Sequence, residues 1–151
     1  MSSLHHTGLT VRDLDRALAF YRDLLGMEVL LEQEKEGGYL AEIVGYEGAH
    51  VRMAHVAFPH DAHRIELFQY VRPEPRGEAG EPRDVGITHV CVVVDDLASI
   101  HERLRAAGVE FCSEPVEVDT GANAGGRAVY LRDPDGVTLE LFQPPRREAS
   151  G

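Results

Sequence analysis

The stretches LHHTGLTVRDLDRALAFYRDLLGMEV (residues 4–29) and ITHVCVVVDDLASIHERLRAAGVEF (residues 87–111) decide the fold of this chain, because the second repeats the pattern of the first. In each, a His is followed by Val after five residues, Asp after seven and Leu after eight, and then by an amphipathic segment and a Gly. Each half of the chain closes on ELFQ, at residues 66–69 and 140–143. Internal similarity of this kind indicates a duplicated structural unit. The sequence therefore predicts two copies of one module.

Each copy is predicted to begin with a strand followed by a helix. The runs around the two His residues alternate and are rich in β-branched side chains, which favours a strand. Asp13 in the first copy, and Asp95 or Asp96 in the second, are suited to cap the N-terminus of a helix. Gly26 and Gly108 stand where a helix C-cap glycine belongs.

Three further strands complete each copy. In the first copy they are MEVLLEQ, HVRMAHVAF and RIELFQYV, with GGYLAEIVGYEG as a short helix or irregular insertion. In the second they are VEFCS, the stretch at residues 126–133 and VTLELFQ, the last two joined by the turn DPDG. We therefore predict the α+β class, with two βαβββ modules in one domain spanning residues 1–151. The first module covers residues 4–71, a linker rich in Pro, Gly and charge covers 72–86, and the second module covers 87–143.

Composition limits the classes of partner. The chain has 151 residues, 15 Lys and Arg against 26 Asp and Glu, and a net charge of −11, so it lacks the basic surface that nucleic acid requires. It contains no apolar run near the roughly 20 residues that cross a bilayer, and its start does not follow the signal-peptide pattern. We expect a cytoplasmic protein that binds neither membrane nor nucleic acid. Cys91 and Cys112 lack metal or redox spacing and are predicted to be reduced thiols packed in the core.

The two His and two Glu residues of the repeat are candidate metal ligands. A Glu in an apolar strand is costly to bury without a cation or hydrogen bonds, so the ELFQ strands are either solvated edges or carry two ligands for one cation. His6 and His89 with Glu66 and Glu140 supply imidazole nitrogen and carboxylate oxygen, a set that suits Ni, Co, Zn, Mn or Fe(II) with two positions open. On spacing alone, core histidines and solvated acids remain the alternative.

The motif HxxxxVxDL, present twice, and DPDGxxxEL resemble the vicinal oxygen chelate superfamily, which includes glyoxalase I, methylmalonyl-CoA epimerase, extradiol dioxygenases and bleomycin-type antibiotic resistance proteins. The resemblance covers nearly the whole chain. It implies two βαβββ modules that form a cup-shaped mixed sheet around a divalent metal ion. Carried over by position, it implies that His6, Glu66, His89 and Glu140 are the metal ligands.

Several positions depart from particular members of that superfamily. Thr10 and Tyr70 stand where short bacterial glyoxalase I has an Arg and an Asn that help hold glutathione, which argues against glutathione. The segment GEPRDVGITHV lacks the Ser-Pro-Ile and Lys-rich features of the epimerase, which argues against methylmalonyl-CoA. A fourth ligand at Glu66 would occupy a position that extradiol dioxygenases keep open for catechol or oxygen.

The resemblance implies a metal-dependent isomerase or lyase of the glyoxalase I or acyl-CoA epimerase kind. Its substrate would chelate the ion through vicinal oxygens and lose a proton to form an enediolate. Glu140 is the expected general base by family position, with Glu66 as the other candidate. The alternatives are an Fe(II) extradiol-type dioxygenase that uses His6, His89 and Glu140, and a non-catalytic protein that binds an antibiotic or natural product.

A second set of residues is expected to line the substrate pocket. Its members are Phe68, Cys91, Tyr130, Phe142 and Arg127. His5 is predicted to point away from His6, whereas the sequence leaves open whether Met53 and His55 face the site. The default assembly is a homodimer, and the two modules could pair within one chain or across the dimer.

Overall fold

The computed structural model describes residues 2–146, which form two compact units that divide between Gly77 and Glu78. Each unit holds one four-stranded mixed sheet and its own helices, so the predicted α+β class and the two βαβββ modules are confirmed. Among the described residues, no helix has the length and apolar character needed to span a membrane.

The described part of the first unit contains four strands and two α-helices. In chain order they are β1 (His6–Thr10), α1 (Leu14–Leu18), β2 (Glu28–Glu36), α2 (Gly38–Val44), β3 (His50–Ala57) and β4 (Arg64–Arg72). The predicted first helix changes to a π-helical turn over Ala19–Leu24, so only its first part is α-helical. The GGYLAEIVGYEG insertion forms the helix α2.

The described part of the second unit repeats this arrangement without a helix equivalent to α2. Its elements are β5 (Val90–Val93), α3 (Leu97–Ala106), β6 (Val116–Glu117), β7 (Arg127–Arg132) and β8 (Thr138–Gln143). The strand predicted at VEFCS is wrong, because the chain bends over residues 112–114 and leaves only an isolated bridge between Phe111 and Leu131. The strand that pairs with β7 begins after that bend, at Val116.

The two sheets have the same topology, and the strands that carry Glu66 and Glu140 pair with their neighbours in the same register. Their orders are β1-β4-β3-β2 and β5-β8-β7-β6, with the first and last strand of each unit parallel and adjacent. Gly8 pairs with Glu66, and Cys91 pairs with Glu140. The ELFQ strands therefore lie inside their sheets, between two neighbours, and are not the solvated edge strands that the sequence left possible.

The starts of α1 and α3 are held by matching contacts. The Asp13 side chain accepts from the backbone N–H of Arg16, and Asp96, rather than Asp95, accepts from Ser99. These Asp side chains satisfy N–H groups that have no partner within the helix. Gly26 has a φ of 84°, a left-handed conformation that glycine adopts without strain.

Most of each core lies on the sheet face that α1 or α3 covers, whereas α2 lies over the opposite face of the first sheet. In the first unit, Leu9, Val11 and Leu67 are buried on the face that α1 covers, as are Leu14 and Tyr21 of the helical segment. In the second unit the corresponding buried residues include Val92, Leu97, Leu104, Leu139 and Leu141. The opposite face of each sheet carries the His and Glu residues of the repeat.

The two cysteines are free thiols, as predicted, but their predicted burial is wrong, because both are exposed. Strand alternation explains Cys91, which lies on the face opposite buried Val92. Cys112 lies in the bend that follows Phe111.

Candidate active site

The first unit brings His6 and Glu66 together across adjacent parallel strands. His6 is the first residue of β1, and Glu66 lies within β4. The His6 Nε2 and Glu66 Oε2 atoms are 3.5 Å apart, and 19% of the Glu66 side chain is exposed. Gly8 is the direct partner of Glu66, and a Cβ at that position would lie 3.7 Å from Oε2. The missing side chain at Gly8 leaves the space beside this carboxylate open.

The sequence did not show that His55 also contacts Glu66. His55 pairs with Glu66 between β3 and β4, and its Nε2 lies 3.0 Å from Glu66 Oε1. Only 7% of His55 is exposed, and its Nδ1 has no hydrogen-bond partner among the described residues. With Glu66 ionised, Nε2 is the donor to the carboxylate. The alternation of Met53 and His55 was visible in the sequence, but the face they occupy depends on the β3–β4 register.

His5 contacts the same cluster, so the prediction that it points away from His6 is wrong. The Nδ1 atoms of His5 and His6 are 2.8 Å apart, and the ring centroid of His5 lies 6.0 Å from that of His55. Strand alternation does not apply because His5 precedes the first residue of β1. Its side chain is nevertheless exposed.

The second unit contains the matching pair, His89 and Glu140. His89 stands one residue before β5, and its Nε2 lies 3.2 Å from Glu140 Oε2. The β7 partner of Glu140 is Tyr130, which occupies the position that His55 holds in the first unit. The Tyr130 hydroxyl lies 3.4 Å from His89 Nε2. Tyr130 therefore contacts the His of its own unit, whereas His55, at the equivalent position, contacts the Glu.

Cys91 and Tyr130 flank Glu140 and share its electrostatic environment. Partial burial of the thiol, followed by the charge of Glu140 and a hydrogen bond to it, raises the pKa of Cys91 to about 11. Burial, and then the charge of Glu140, also raises the pKa of Tyr130. Both groups therefore remain protonated and uncharged at neutral pH.

The other residues predicted to line the pocket lie on different sheets or on different sheet faces. Phe68 lines a cavity of about 520 Å³ in the first unit together with His6, His55 and Glu66. Phe142 is on the same face of β8 as Glu140, two residues further along. Arg127 is an odd number of residues from Tyr130 on β7, so strand alternation directs it to the opposite face.

The donor chemistry of each His–Glu pair fits part of a divalent metal site. Within residues 2–146, no three or more His, Cys, Asp or Glu side chains form a group arranged to hold a metal. Each His–Glu pair of the repeat supplies one imidazole nitrogen and one carboxylate oxygen, which suit a borderline divalent cation. Two ligands bound at about 2.1 Å in octahedral geometry lie about 3 Å apart, and the two pairs measure 3.5 and 3.2 Å.

The duplicated sheet and its paired His and Glu residues define a protein of the two-module βαβββ class. The family described as the Glyoxalase/Bleomycin resistance protein/Dioxygenase superfamily matches residues 3–141. The chain belongs to this superfamily, which confirms the resemblance found in its motifs.

Proteins with sequence similarity to this chain include two named enzymes. The chain is 32% identical over 147 residues to a 2-epi-5-epi-valiolone epimerase from Actinomyces sp, covering 95% of this chain and 80% of that protein. It is 32% identical over 139 residues to a lactoylglutathione lyase from Haemophilus influenzae, covering 91% and 90% of the two chains. These relatives support an enzyme of the glyoxalase-like kind.

A solved structure supports the fold independently. The crystal structure of a glyoxalase family protein from Bacillus cereus superposes with a TM-score of 0.86 at 22% identity, covering 97% of this chain and 96% of that one. At this level of identity, the likeness shows the fold alone.

Proposed function

We propose that the protein is a metal-dependent lyase or isomerase that moves a proton on a carbon next to a carbonyl group. The observation that carries this proposal is the repeated placement of one His and one Glu at matching register positions of the two sheets. The names of the epimerase and the lyase among its relatives support the reaction class. The substrate would present two neighbouring oxygens, as a hydroxy-ketone, hemithioacetal or acyl thioester does.

The residues proposed to hold the divalent ion are His6, Glu66, His89 and Glu140. When bound, such an ion polarises a carbonyl and stabilises negative charge that develops on its oxygen. We propose a homodimer, since symmetric pairs are the commonest assembly, with the four ligands drawn either from one chain or from two.

Glu66 and Glu140 are held by different side chains, and this difference favours Glu140 as the residue that carries the proton. Glu66 is held from two sides, by His6 at Oε2 and by His55 at Oε1. At the position equivalent to His55, Tyr130 contacts His89. Glu140 is therefore contacted by His89 and by the thiol of Cys91, which is a weaker hydrogen-bond donor than an imidazole. A general base must change its protonation state and reach the substrate carbon during the reaction. Glu66 is therefore better suited to remain a ligand, and Glu140 to move the proton.

Glu140→Gln tests this assignment, with Glu117→Gln as the matched control on the exposed strand β6. Metal content is measured by elemental analysis after loading with Zn, Ni, Co, Mn or Fe(II). Exchange of the substrate carbon-bound proton for deuterium is followed by NMR in D2O, using hydroxy-ketones, hemithioacetals of 2-oxoaldehydes and 2-substituted acyl thioesters.

We expect Glu140→Gln to retain metal, because the amide keeps an oxygen ligand and the other three proposed ligands are unchanged, and to lose proton exchange by about 10²-fold or more, the usual contribution of a general base. Glu117→Gln should behave as the unmodified protein. Undiminished exchange in Glu140→Gln would remove this residue from the mechanism, and a protein with no affinity for any of these ions would refute the metal-dependent function.

A further inference from the structure

A cavity in the first unit continues from the His6–Glu66 pair into an apolar space beneath α2. Its volume is about 520 Å³, within the range of about 300–1,000 Å³ that small-molecule sites occupy. Engineered apolar cavities of about 150 Å³ already bind benzene. The space is therefore large enough for a ring that carries substituents.

The polar and apolar groups of this cavity are separated along the strands. His55 and Glu66 lie side by side on β3 and β4. Two residues further from this pair, Met53 and Phe68 are also cross-strand partners and face the same cavity. Tyr70 follows Phe68 at the next position on this face, and their ring centroids are 5.1 Å apart. The wall therefore changes from ionisable to aromatic and aliphatic within a few residues of the proposed metal ligands.

Helix α2 supplies the remaining apolar wall. Its buried Leu40 packs with Val51 and Met53 on the same sheet face. Tyr39 and Ile43, one helical turn apart, also line the cavity, yet 61% of Tyr39 and 75% of Ile43 are exposed. An apolar ligand would remove part of this surface from water, which is favourable by about 25 cal/mol per Å².

The residues that line the cavity disfavour an anionic group on the part of a ligand that the cavity holds. None of the residues that line it, all within the described part of the chain, is Lys or Arg, and Glu66 contributes a carboxylate. An anion placed beside the apolar residues of this cavity, away from the proposed metal ligands, would lose hydration without gaining a Lys or Arg partner. The carboxylates of glutathione and the phosphates of coenzyme A therefore have no counterpart among the described residues of this cavity.

We propose that the α2 cavity binds an uncharged, apolar ring or branched chain attached to the oxygen-bearing carbons of the substrate. This inference rests on the proposed function, because it places those carbons beside His6 and Glu66. It gives α2 a role in selecting the substrate. This helix has no equivalent among the described residues of the second unit.

Three ligands with the same hydroxy-ketone group test the proposal: 2-hydroxyacetophenone, hydroxyacetone and 4-(2-hydroxyacetyl)benzoate. Their affinities are measured by ligand-observed NMR titration of the full chain, metal-free and zinc-loaded. We expect the phenyl ketone to bind at least about tenfold more tightly than hydroxyacetone, since each buried methylene contributes about 0.8 kcal/mol. The benzoate should bind at least about tenfold more weakly than the phenyl ketone, because its carboxylate loses hydration in the cavity.

Ile43→Lys places a cation in the cavity wall at a position exposed enough to accept it. This variant should bind the phenyl ketone more weakly and the benzoate more tightly than the unmodified protein. Val116→Lys, at a position in the second unit that is 59% exposed, is the control and should change neither affinity.

Equal binding of the phenyl ketone and hydroxyacetone, or an unchanged affinity ratio in Ile43→Lys, would overturn the proposal. These titrations are independent of turnover. Tighter binding of the phenyl ketone without proton exchange would support the cavity assignment and refute the lyase or isomerase function. Proton exchange without tighter binding of the phenyl ketone would support that function and refute the cavity assignment.

Discussion

The side-chain oxygen of Gln69 accepts a hydrogen bond from the backbone N–H of Leu14 at 3.0 Å. Gln143 makes the same contact with Leu97 at 2.8 Å in the second unit. The last residue of each ELFQ segment thus binds the first residue of the helix in its own module. These contacts satisfy helix N–H groups that lack a partner within the helix, and they link the strand that carries the Glu to that helix.

Gln69→Ala is expected to lower the free energy of unfolding by about 1–2 kcal/mol, because it leaves a part-buried N–H without its acceptor. Gln69→Glu retains an acceptor oxygen at nearly the same position and should lose less. Urea denaturation followed by circular dichroism measures both. Equal stability of Gln69→Ala and the unmodified protein would show that water replaces this hydrogen bond.

His55→Ala should weaken metal binding by about 10–100-fold, the usual effect of removing a residue that orients a ligand. The physical reason is that Glu66 Oε1 loses the donor that holds the carboxylate. Competition with a chelating dye measures the metal affinity without reference to turnover. His55→Gln keeps a donor and should recover part of the loss.

Tyr130→Phe is the matched control for His55, because Tyr130 occupies the equivalent position but contacts His89 at 3.4 Å. We expect a smaller change in metal affinity than in His55→Ala. An equal or greater loss of metal affinity in Tyr130→Phe would contradict the inference that His55 holds Glu66 in a way that Tyr130 does not hold Glu140.

The Cys91 thiol should react slowly with iodoacetamide at pH 8 in metal-free protein, measured in a Cys112→Ser background. With the pKa of Cys91 raised to about 11, the reactive thiolate forms only as the pH approaches that value. Glu140→Gln removes a neighbouring negative charge and should move the midpoint of the rate–pH profile to lower pH. A midpoint near the ordinary thiol value of about 8.5 would contradict this environment.

Gly126→Ala is expected to destabilise the second unit by about 1–3 kcal/mol through overpacking. A Cβ at this position would lie 2.9 Å from the backbone oxygen of Gln143 and 3.0 Å from the ring of Phe142. Gly8→Ala is the control, because its Cβ would make only ordinary contacts. Thermal unfolding measures the difference, and similar melting temperatures for the two variants would argue against close packing at Gly126.

The duplication could be recognised from the chain because its signals are local and occur twice. Asp13 and Asp96 cap helices through their own side chains, and Gly26 and Gly108 adopt the left-handed conformation that ends the helical segments. Turn, cap and alternation signals act over a few residues, so they can be read without knowing which strands pair. The strand predicted at VEFCS does not form, because the bend that precedes β6 interrupts the alternation of its residues.

The two His–Glu pairs were anticipated as ligands from their repeated positions, whereas the role of His55 was not. His55 reaches Glu66 only because β3 pairs with β4 in one particular register, and a shift of one residue would turn it to the other face. The exposure of Cys91 and the position of α2 over the apolar cavity likewise depend on which sheet face is covered. Local sequence thus determined the modules and their repeated His and Glu, while strand pairing decided which neighbours hold each carboxylate, because such contacts join residues far apart in the chain.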